Sequence, residues 1–395
     1  MRKFIALCLS MALVFTVGIT TFAKTVAKSG AEIESNDTQA SVDLGLSVGS
    51  AVLMEAKSGK ILYSVNEYKE ASPASVTKIM TLLLVCEALA AGRISTDDQV
   101  IVSAYAASMG GSQVFLEEGE RISVEDLIKS TVIASANDAA VALAELVAGS
   151  ESAFVSMMNQ RARELGLKNT AFENTTGLDD TTTAHYSCAA DIAVMSAELI
   201  KHEIVTRYSS MWQDSIRDGE FTLTNTNRLV RYYEGCNGLK TGSTDKAGYC
   251  VSATAKRGNM QLIAVIMGAE SRDARNEAAR RLLDYGFASF GLYEAPGQFL
   301  ENVPVIFGVK DSVGVYTSDF SALVDKGRIS AVEVVYDIPE SLAAPFREGA
   351  PVGKATYLLD GEEIGSVDIY AGESVDRITF GQIFLRIITR MLTST

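Results

Sequence analysis

The apolar segment 73–91 constrains the fold of this chain more than any other feature. Ser72 and Pro73 form a typical helix start, and Gly92 forms a typical stop. Between them, apolar side chains point in nearly every direction around the predicted helix: Ile79, Met80, Leu82, Leu83, Leu84 and Val85. A helix without a polar face is stable only when other elements cover it on all sides. The sequence therefore predicts a large domain with this helix at its centre.

Two predicted β-hairpins lie far apart along the chain, with helices between them. Strand patterns at 51–54 and 61–63 flank a turn that contains Gly59, and patterns at 249–254 and 262–267 flank a turn at 257–259. The predicted helices lie at 123–133, with a capping-box pattern at Ser123 and Asp126, at 138–147 and at 276–292. This order indicates a domain of mixed α/β composition, α+β in its arrangement, in which helices cover an antiparallel sheet.

The C-terminal part has a different pattern. Short β-like runs at 303–307, 332–336 and 366–370 predict a separate small all-β domain. The segment 377–392 has apolar residues on one helical face and carries arginines but no acidic residue. It is too short and too polar to cross a bilayer, so we expect it to lie in an anionic membrane interface. A helix docked on the β domain and a dimerisation helix are the alternatives.

The chain start has the pattern of a secretory signal. Arg2 and Lys3 precede an apolar run, and Ala23 ends a small-residue cleavage pattern. We expect cleavage after Ala23, with an uncleaved transmembrane anchor as the alternative. The predicted organisation is a signal peptide at 1–23, a linker at 24–45, the large domain at 46–293, the β domain at 297–375 and the amphipathic helix at 377–395. The protein is therefore expected to be exported and to lie peripherally on the outer face of the cytoplasmic membrane.

Composition argues against several functional classes. Lys and Arg total 35 against 49 Asp and Glu, and the resulting net charge of −14 argues against a nucleic-acid partner. His185 and His202 lie in separate segments without the spacing of a zinc site, so we expect no metal and no other cofactor. Cys236 and Cys250 could form a disulfide, but free thiols are preferred because the cysteine density of a small disulfide scaffold is absent.

The first candidate catalytic motif is S-x-x-K at the start of the buried helix. Ser75 and Lys78 are three residues apart and share a helical face, so the hydroxyl and the amine can meet. An unperturbed lysine has a pKa of about 10.4, and burial near a second cation lowers it enough for the amine to act as a base. Unpaired N–H groups in this first turn suit a developing anion.

Two further motifs lie on other predicted elements. Ser135 and Asn137 occupy a break between two helices, where a hydroxyl can relay a proton and an amide can position a substrate. The segment 240–243 (K-T-G-S) precedes the second hairpin. Its Gly242 lets a ligand backbone approach the strand, and Lys240 supplies the second cation. Taken singly, each motif also fits a capped helix start or a surface turn.

In this order and on these elements, the motifs resemble the S-x-x-K, S-x-N and K-T-G set of penicillin-binding proteins and serine β-lactamases. The chain is most similar to the serine D-alanyl-D-alanine carboxypeptidases, the low-molecular-mass penicillin-binding proteins, over nearly the whole mature chain. The resemblance implies a transpeptidase/β-lactamase-like fold, peptidoglycan stem peptides as substrates and β-lactam antibiotics as covalent inhibitors.

The resemblance also implies residue roles. Ser75 would attack the bond between two terminal D-alanines, with Lys78 as the base and the N–H groups of Ser75 and Ser243 as the oxyanion hole. The other implied catalytic residues are Ser135, Asn137 and Lys240, and the implied substrate-binding residues are Thr241, Gly242, Ser243 and Arg275. Arg275 is preferred over Arg272 for the terminal carboxylate. Many relatives carry His where this chain has Ser243, which leaves the backbone donor intact.

Two other functions stay open from the sequence. A class A-like β-lactamase needs a deacylating base, usually the Glu of an E-x-x-L-N pattern, and the segment 173–177 (E-N-T-T-G) does not match it. A non-catalytic penicillin-binding or wall-binding module of the same fold would not need the complete set of motif residues that this chain retains.

Overall fold

The computed structural model describes residues 42–179 and 182–393. The predicted signal peptide and the predicted linker up to residue 41 lie outside the described residues. The strands are β1 (Ser50–Glu55), β2 (Ile61–Val65), β3 (Gln99–Ile101), β4 (Arg121–Ser123), β5 (Gln213–Ile216), β6 (Phe221–Thr224), β7 (Cys236–Thr244), β8 (Gly248–Arg257), β9 (Met260–Ala269), β10 (Phe290–Ala295), β11 (Phe299–Ile306), β12 (Ser312–Thr317), β13 (Phe320–Asp325), β14 (Val332–Asp337), β15 (Leu342–Ala343), β16 (Pro351–Leu359) and β17 (Glu362–Ala371). The helices are α1 (Lys78–Ala90), α2 (Ala104–Ala107), α3 (Val124–Ile133), α4 (Asn137–Ala148), α5 (Glu151–Glu164), α6 (Ala189–Leu199), α7 (Glu203–Ser209), α8 (Leu229–Tyr232), α9 (Arg272–Ser289) and α10 (Phe380–Thr393).

The large domain is built on an antiparallel five-stranded sheet in the order β2-β1-β9-β8-β7. Both predicted hairpins, β1–β2 and β8–β9, are present. Side chains alternate along β1 and β9 between two apolar cores, one shared with α9 and the other with α1 and α6. The predicted α+β fold, with helices covering an antiparallel sheet, is confirmed.

Helix α1 is buried on all sides, as predicted, but its start differs from the prediction. A 3₁₀ turn, Ala74–Thr77, precedes it, and Pro73 takes the N-cap position of this turn without a side-chain cap bond. Because the turn separates Ser72 from α1, Ser72 does not cap the helix, and its Oγ lies 3.5 Å from Asp179 Oδ2.

The other predicted helices are present with shifted ends. Ser123 Oγ accepts from the N–H of Asp126 at 3.1 Å, as the capping pattern predicts. The helix predicted at 276–292 is wrong at both ends, because Ser271 caps α9 by accepting from Ala274 N and the chain then enters β10. Helices α5, α6 and α7 were not predicted.

The C-terminal part contains a six-stranded sheet in the order β14-β16-β17-β12-β11-β15, with its own apolar core. The predicted boundary at residue 293 falls inside β10, which pairs with β13. Helix α10 exposes large apolar side chains, among them Phe380 at 84% exposure. Arg386 of this helix donates to Asp311 Oδ1 and Val309 O, so a polar side of α10 contacts the β domain.

Within the described ranges, no single helix combines the length and hydropathy required to cross a membrane, and α4 with α5 reaches that threshold only as a bent pair. The four cysteines in the described part of the chain, Cys86, Cys188, Cys236 and Cys250, are free thiols.

Candidate active site

The fold brings the three sequence motifs together. The 3₁₀ turn carries Ser75, and Lys78 is the first residue of α1. The break between α3 and α4 carries Ser135, and Asn137 begins α4. Strand β7, at the edge of the sheet next to the 3₁₀ turn, carries Lys240. Residues from three distant parts of the chain therefore form one cluster.

The amine of Lys78 lies at the centre of this cluster. Its Nζ is 3.1 Å from Ser75 Oγ, 2.5 Å from Asn137 Oδ1 and 2.8 Å from the carbonyl oxygen of Thr176. The side chain is fully buried. Burial, followed by the charge of Lys240, lowers the pKa of Lys78 well below its usual value, against an opposing effect of Asp138. These surroundings favour the neutral amine that a base requires.

A second lysine lies beside the first. Lys240 Nζ donates to Ser135 Oγ at 2.7 Å and to the carbonyl oxygen of Thr241 at 2.9 Å. Burial, with a smaller effect of the Arg275 charge, lowers the pKa of Lys240 to about 7. Ser135 has a left-handed backbone with φ of 63°, a conformation that non-glycine residues seldom adopt and that is enriched at functional sites.

Two glycines allow the close packing around Ser75. A Cβ on Gly242 would lie 2.8 Å from Ser75 N and 2.9 Å from Pro73 O, so only glycine lets β7 approach the 3₁₀ turn this closely. A Cβ on Gly177 would lie 1.8 Å from Ala74 O. Gly177 also lets the loop bring Thr176 O to Lys78. The nucleophile candidate is therefore fixed between a strand and a loop.

A cavity of about 610 Å³ opens above Ser75. Its charged lining residues are Arg228, Arg272 and Arg275, and no carboxylate lines it among the described residues. Arg275 is 3% exposed, and burial lowers its pKa to about 10. Its guanidinium donates to neutral oxygens, those of Cys250 and Asn276. The cavity therefore suits an anionic group.

The substrate-binding residues that the sequence suggests also lie at this cavity. Thr241, Gly242 and Ser243 line it, and Thr241 Oγ1 donates to Thr226 Oγ1 at 2.8 Å. Because Arg272 and Arg275 both line the cavity, the preference for Arg275 stays a prediction.

Sequence reasoning missed the acceptors that the backbone supplies. Thr176 O receives the Lys78 amine, Gly110 O receives Asn137 Nδ2 at 2.6 Å, and Ser112 O receives Asn137 N at 2.7 Å. Any residue type offers a backbone carbonyl, so no motif announces it. The one local signal in the sequence is Gly177, because glycine is the residue that tight loops with a left-handed backbone prefer. Its φ in the structure is 82°.

The segment 173–177 does not supply a carboxylate to Ser75. The Glu173 carboxylate accepts from the N–H groups of Thr183 and Ala184, and these bonds lower its pKa. Within the described residues, no group of three His, Cys, Asp or Glu side chains is arranged to hold a metal ion.

Comparison with known proteins assigns this arrangement to a family. Residues 36–271 match the model of the S11 peptidases, described as D-alanyl-D-alanine carboxypeptidase. The chain belongs to the D-alanyl-D-alanine carboxypeptidase family. Residues 287–377 match the C-terminal domain of penicillin-binding protein 5. The resemblance stated from the motifs is thereby confirmed.

Relatives of this carboxypeptidase family cover most of the chain. The D-alanyl-D-alanine carboxypeptidase DacF of Bacillus subtilis is 42% identical over 87% of this chain and 90% of its own length. DacC of Escherichia coli is 34% identical over 82% and 83%. Penicillin-binding protein 5 from Haemophilus influenzae superposes with a TM-score of 0.71 at 33% identity, over 84% of this chain and 98% of that structure. The fold is therefore shared along both parts of the described chain.

Proposed function

We propose that this chain is a serine D-alanyl-D-alanine carboxypeptidase, which removes the terminal D-alanine from peptidoglycan pentapeptide stems through an acyl-enzyme on Ser75. The contacts of Lys78 Nζ carry this proposal. Asn137 Oδ1 and Thr176 O can only accept, so a neutral amine donates both of its hydrogens to them. The amine lone pair then faces the Ser75 hydroxyl, 3.1 Å away. The hydroxyl can give its proton to this lone pair as it attacks.

Acylation begins with attack of Ser75 Oγ on the carbonyl carbon between the two D-alanines, while the hydroxyl proton passes to Lys78. The carbonyl oxygen becomes an oxyanion, which the N–H groups of Ser75 and Ser243 stabilise. The C–N bond breaks when the leaving amine takes up the proton. The Ser135 hydroxyl, held by Lys240 at 2.7 Å, relays this proton. Free D-alanine leaves, and Lys78 is neutral again.

Hydrolysis completes the cycle. A water molecule attacks the acyl carbon and gives a proton to Lys78, the ester bond to Ser75 breaks, and Ser75 recovers its proton. A β-lactam acylates the same hydroxyl, but its opened ring stays attached to the acyl group. We therefore expect covalent inhibition by penicillins.

Substrate orientation depends on the terminal carboxylate. Arg275 is a buried cation whose described partners are neutral oxygens, so it can bind an anion without first breaking an ion pair. The hydroxyls of Thr241 and Ser243 line the same cavity. This pairing selects peptides with a free C-terminus, as a carboxypeptidase requires.

We also propose that the protein is exported, loses residues 1–23 and lies on the outer face of the cytoplasmic membrane, where it trims stem peptides in cell-wall maturation. The exposed apolar side chains of α10, including Phe380 and Phe384, support an interfacial position for this helix. The sequence 377–392 has no acidic residue and carries Arg377 and Arg390 besides the Arg386 that pairs with Asp311, which supports anionic lipid as the partner.

The test combines mass spectrometry after benzylpenicillin treatment with D-alanine release from a pentapeptide. We expect a long-lived adduct on Ser75 and D-alanine release, and we expect Ser75→Ala to lose both. Rapid turnover of penicillin would instead identify a β-lactamase. Absence of D-alanine release, with Ser75→Ala behaving like the parent, would identify a non-catalytic module.

A further inference from the structure

The loop at 110–116 determines the orientation of Asn137. Asn137 donates from Nδ2 to Gly110 O at 2.6 Å and from its backbone N to Ser112 O at 2.7 Å. Because Nδ2 faces Gly110, Oδ1 faces Lys78 at 2.5 Å. A shift of this loop would therefore turn the amide away from the amine.

The same loop is tied to the next residue of α4. The buried carboxylate of Asp138 accepts from the N–H groups of Val114 and Leu116, each at 3.1 Å. All of these loop contacts use backbone atoms. Their geometry therefore depends on the path of the loop 110–116 and not on its side chains.

Arg217 binds the same loop through two of its carbonyl oxygens. Its Nη1 donates to Val114 O at 2.9 Å and its Nη2 to Phe115 O at 3.2 Å. The guanidinium also pairs with the Glu120 carboxylate, at 2.7 Å from Nε. Phe115, Arg217 and Asp218 have φ values of 56°, 54° and 53°. Left-handed non-glycine residues persist where surrounding contacts fix them, and they cluster at functional sites.

We propose that Arg217 is a positioning residue for the reaction at Ser75 and that it acts through the loop 110–116 and Asn137. Arg217 is not among the residues that line the cavity, so it does not touch the substrate there. The two Nη atoms of its guanidinium fork hold two loop carbonyls. The loop in turn holds the Asn137 amide, which accepts from Lys78. The inference rests on the proposed function, since it concerns the rate of acylation at Ser75.

The test compares Arg217→Met with a matched variant, Glu120→Gln. Arg217→Met removes the guanidinium but keeps an apolar stem beside Phe221, over whose ring the guanidinium lies. Glu120→Gln removes the ion pair and leaves the bonds from Arg217 to the two loop carbonyls. The measurements are the acylation rate constant with a fluorescent penicillin, kcat and KM for D-alanine release, and Tm.

We expect Arg217→Met to lower the acylation rate constant and kcat about tenfold with little change in KM, because the amide is misplaced and not the substrate. Glu120→Gln should stay within about twofold of the parent in acylation rate, because the amide still offers an oxygen to the guanidinium and the bonds to the two loop carbonyls remain. In an Asn137→Ala background, Arg217→Met should have less than about a twofold further effect. If Arg217→Met does not fold, Arg217→Lys replaces it, and about a threefold loss is expected because lysine lacks the fork.

If Arg217→Met acylates at the rate of the parent, the inference is overturned. A tenfold loss caused by Arg217→Met in the Asn137→Ala background would overturn it as well. An equal loss in Glu120→Gln at matched Tm would also overturn it, since the ion pair and not the fork would then set the rate. In each of these cases the parent still acylates at Ser75, so the proposed function stands. If the parent does not acylate, the proposed function fails and the inference fails with it.

Discussion

The Nζ of Lys78 lies 3.1 Å from the Oγ of Ser75, and both other partners of this amine are oxygens that only accept. This arrangement orients the lone pair of a neutral amine toward the hydroxyl. The orientation of the base thus comes from contacts supplied by the 3₁₀ turn, α4 and the loop at 173–178, whereas its lowered pKa comes from burial and from the charge of Lys240 on β7.

Removing the base tests this arrangement directly. Lys78→Met keeps an unbranched apolar side chain in the buried position, and we expect the acylation rate constant to fall about 10³-fold because the hydroxyl loses its proton acceptor. Rates with a fluorescent penicillin measure the effect. The exposed Lys60→Met variant is the control and should acylate like the parent. Normal acylation by Lys78→Met would contradict the mechanism.

Lys240, the second lysine, should affect the pH dependence of acylation. Because the charge of Lys240 lowers the pKa of Lys78, Lys240→Met raises that pKa, and a higher pH is needed to obtain the neutral amine. We expect the acidic limb of the acylation profile to move to higher pH, with a rate loss of about tenfold at neutral pH. The exposed Lys246→Met variant should keep the parent profile. A limb that moves to lower pH would show that Lys240 does not act on Lys78 in this way.

The close approach of β7 predicts a steric effect. Gly242→Ala places a Cβ 2.8 Å from Ser75 N, so either the strand or the 3₁₀ turn must shift. We expect acylation to fall about 100-fold, since a displacement of this size misplaces the nucleophile. Gly327→Ala, where a Cβ meets no atom within 4 Å, is the control. Parent-like acylation by Gly242→Ala would show that the contact does not position Ser75.

The buried His185 should make the free energy of unfolding depend on pH in the acidic range. His185 Nδ1 accepts from Glu173 N, so its Nε2 carries the proton and donates to Thr77 Oγ1 at 2.8 Å. Burial lowers the pKa of His185 from 6.5 to about 4, so the unfolded chain binds more protons between these values. The free energy of unfolding should therefore fall by up to about 3 kcal/mol as the pH drops from 6.5 to 4, at about 1.4 kcal/mol per pKa unit.

Urea unfolding at several pH values measures this effect. His185→Gln should remove the acid-dependent loss that His185 causes. His202→Gln should keep that loss and remove only the contribution of His202, whose pKa burial also lowers. A parent-like slope in His185→Gln would assign the acid sensitivity to other groups.

Helix α10 should determine whether the protein binds to membranes. A chain that ends at Val375 should lose binding to vesicles containing anionic lipid and should release D-alanine at the parent rate, because α10 contributes no residue to the cavity. Phe384→Glu in the full chain, a change on the exposed apolar face, should weaken vesicle binding without shortening the chain. Persistent vesicle binding by the truncated chain would refute the membrane role of α10.

The sequence predicted the elements that have strong local signals. The hairpins β1–β2 and β8–β9 follow from alternating apolar residues around glycine-containing turns, and α1 follows from its continuous apolar pattern. Helix α5 was missed because its buried side chains form a narrow stripe, Phe154, Met158 and Ala162, within a largely polar segment. Such a stripe becomes evident only when the partner helices are in place.

In the site, too, the residues with a local sequence signal were predicted and the groups that depend on the path of the chain were not. Ser75, Lys78, Ser135, Asn137 and Lys240 were suggested by side-chain chemistry, and the structure brings them together. The carbonyls of Gly110, Ser112 and Thr176 were not suggested, because a backbone acceptor depends on chain path and not on residue type. The N-cap assignment of Ser72 failed for a related reason, since a 3₁₀ turn and an α-helix begin with similar sequences.

The glycines at 177 and 242 leave no spare volume on either side of the turn that carries Ser75. A variant selected to resist acylation by a β-lactam therefore has little freedom at these two positions, since any side chain there would also displace Ser75 from its peptide substrate. Resistance would instead arise at exposed lining residues such as Tyr232, which lies on α8 and not on the turn that carries Ser75.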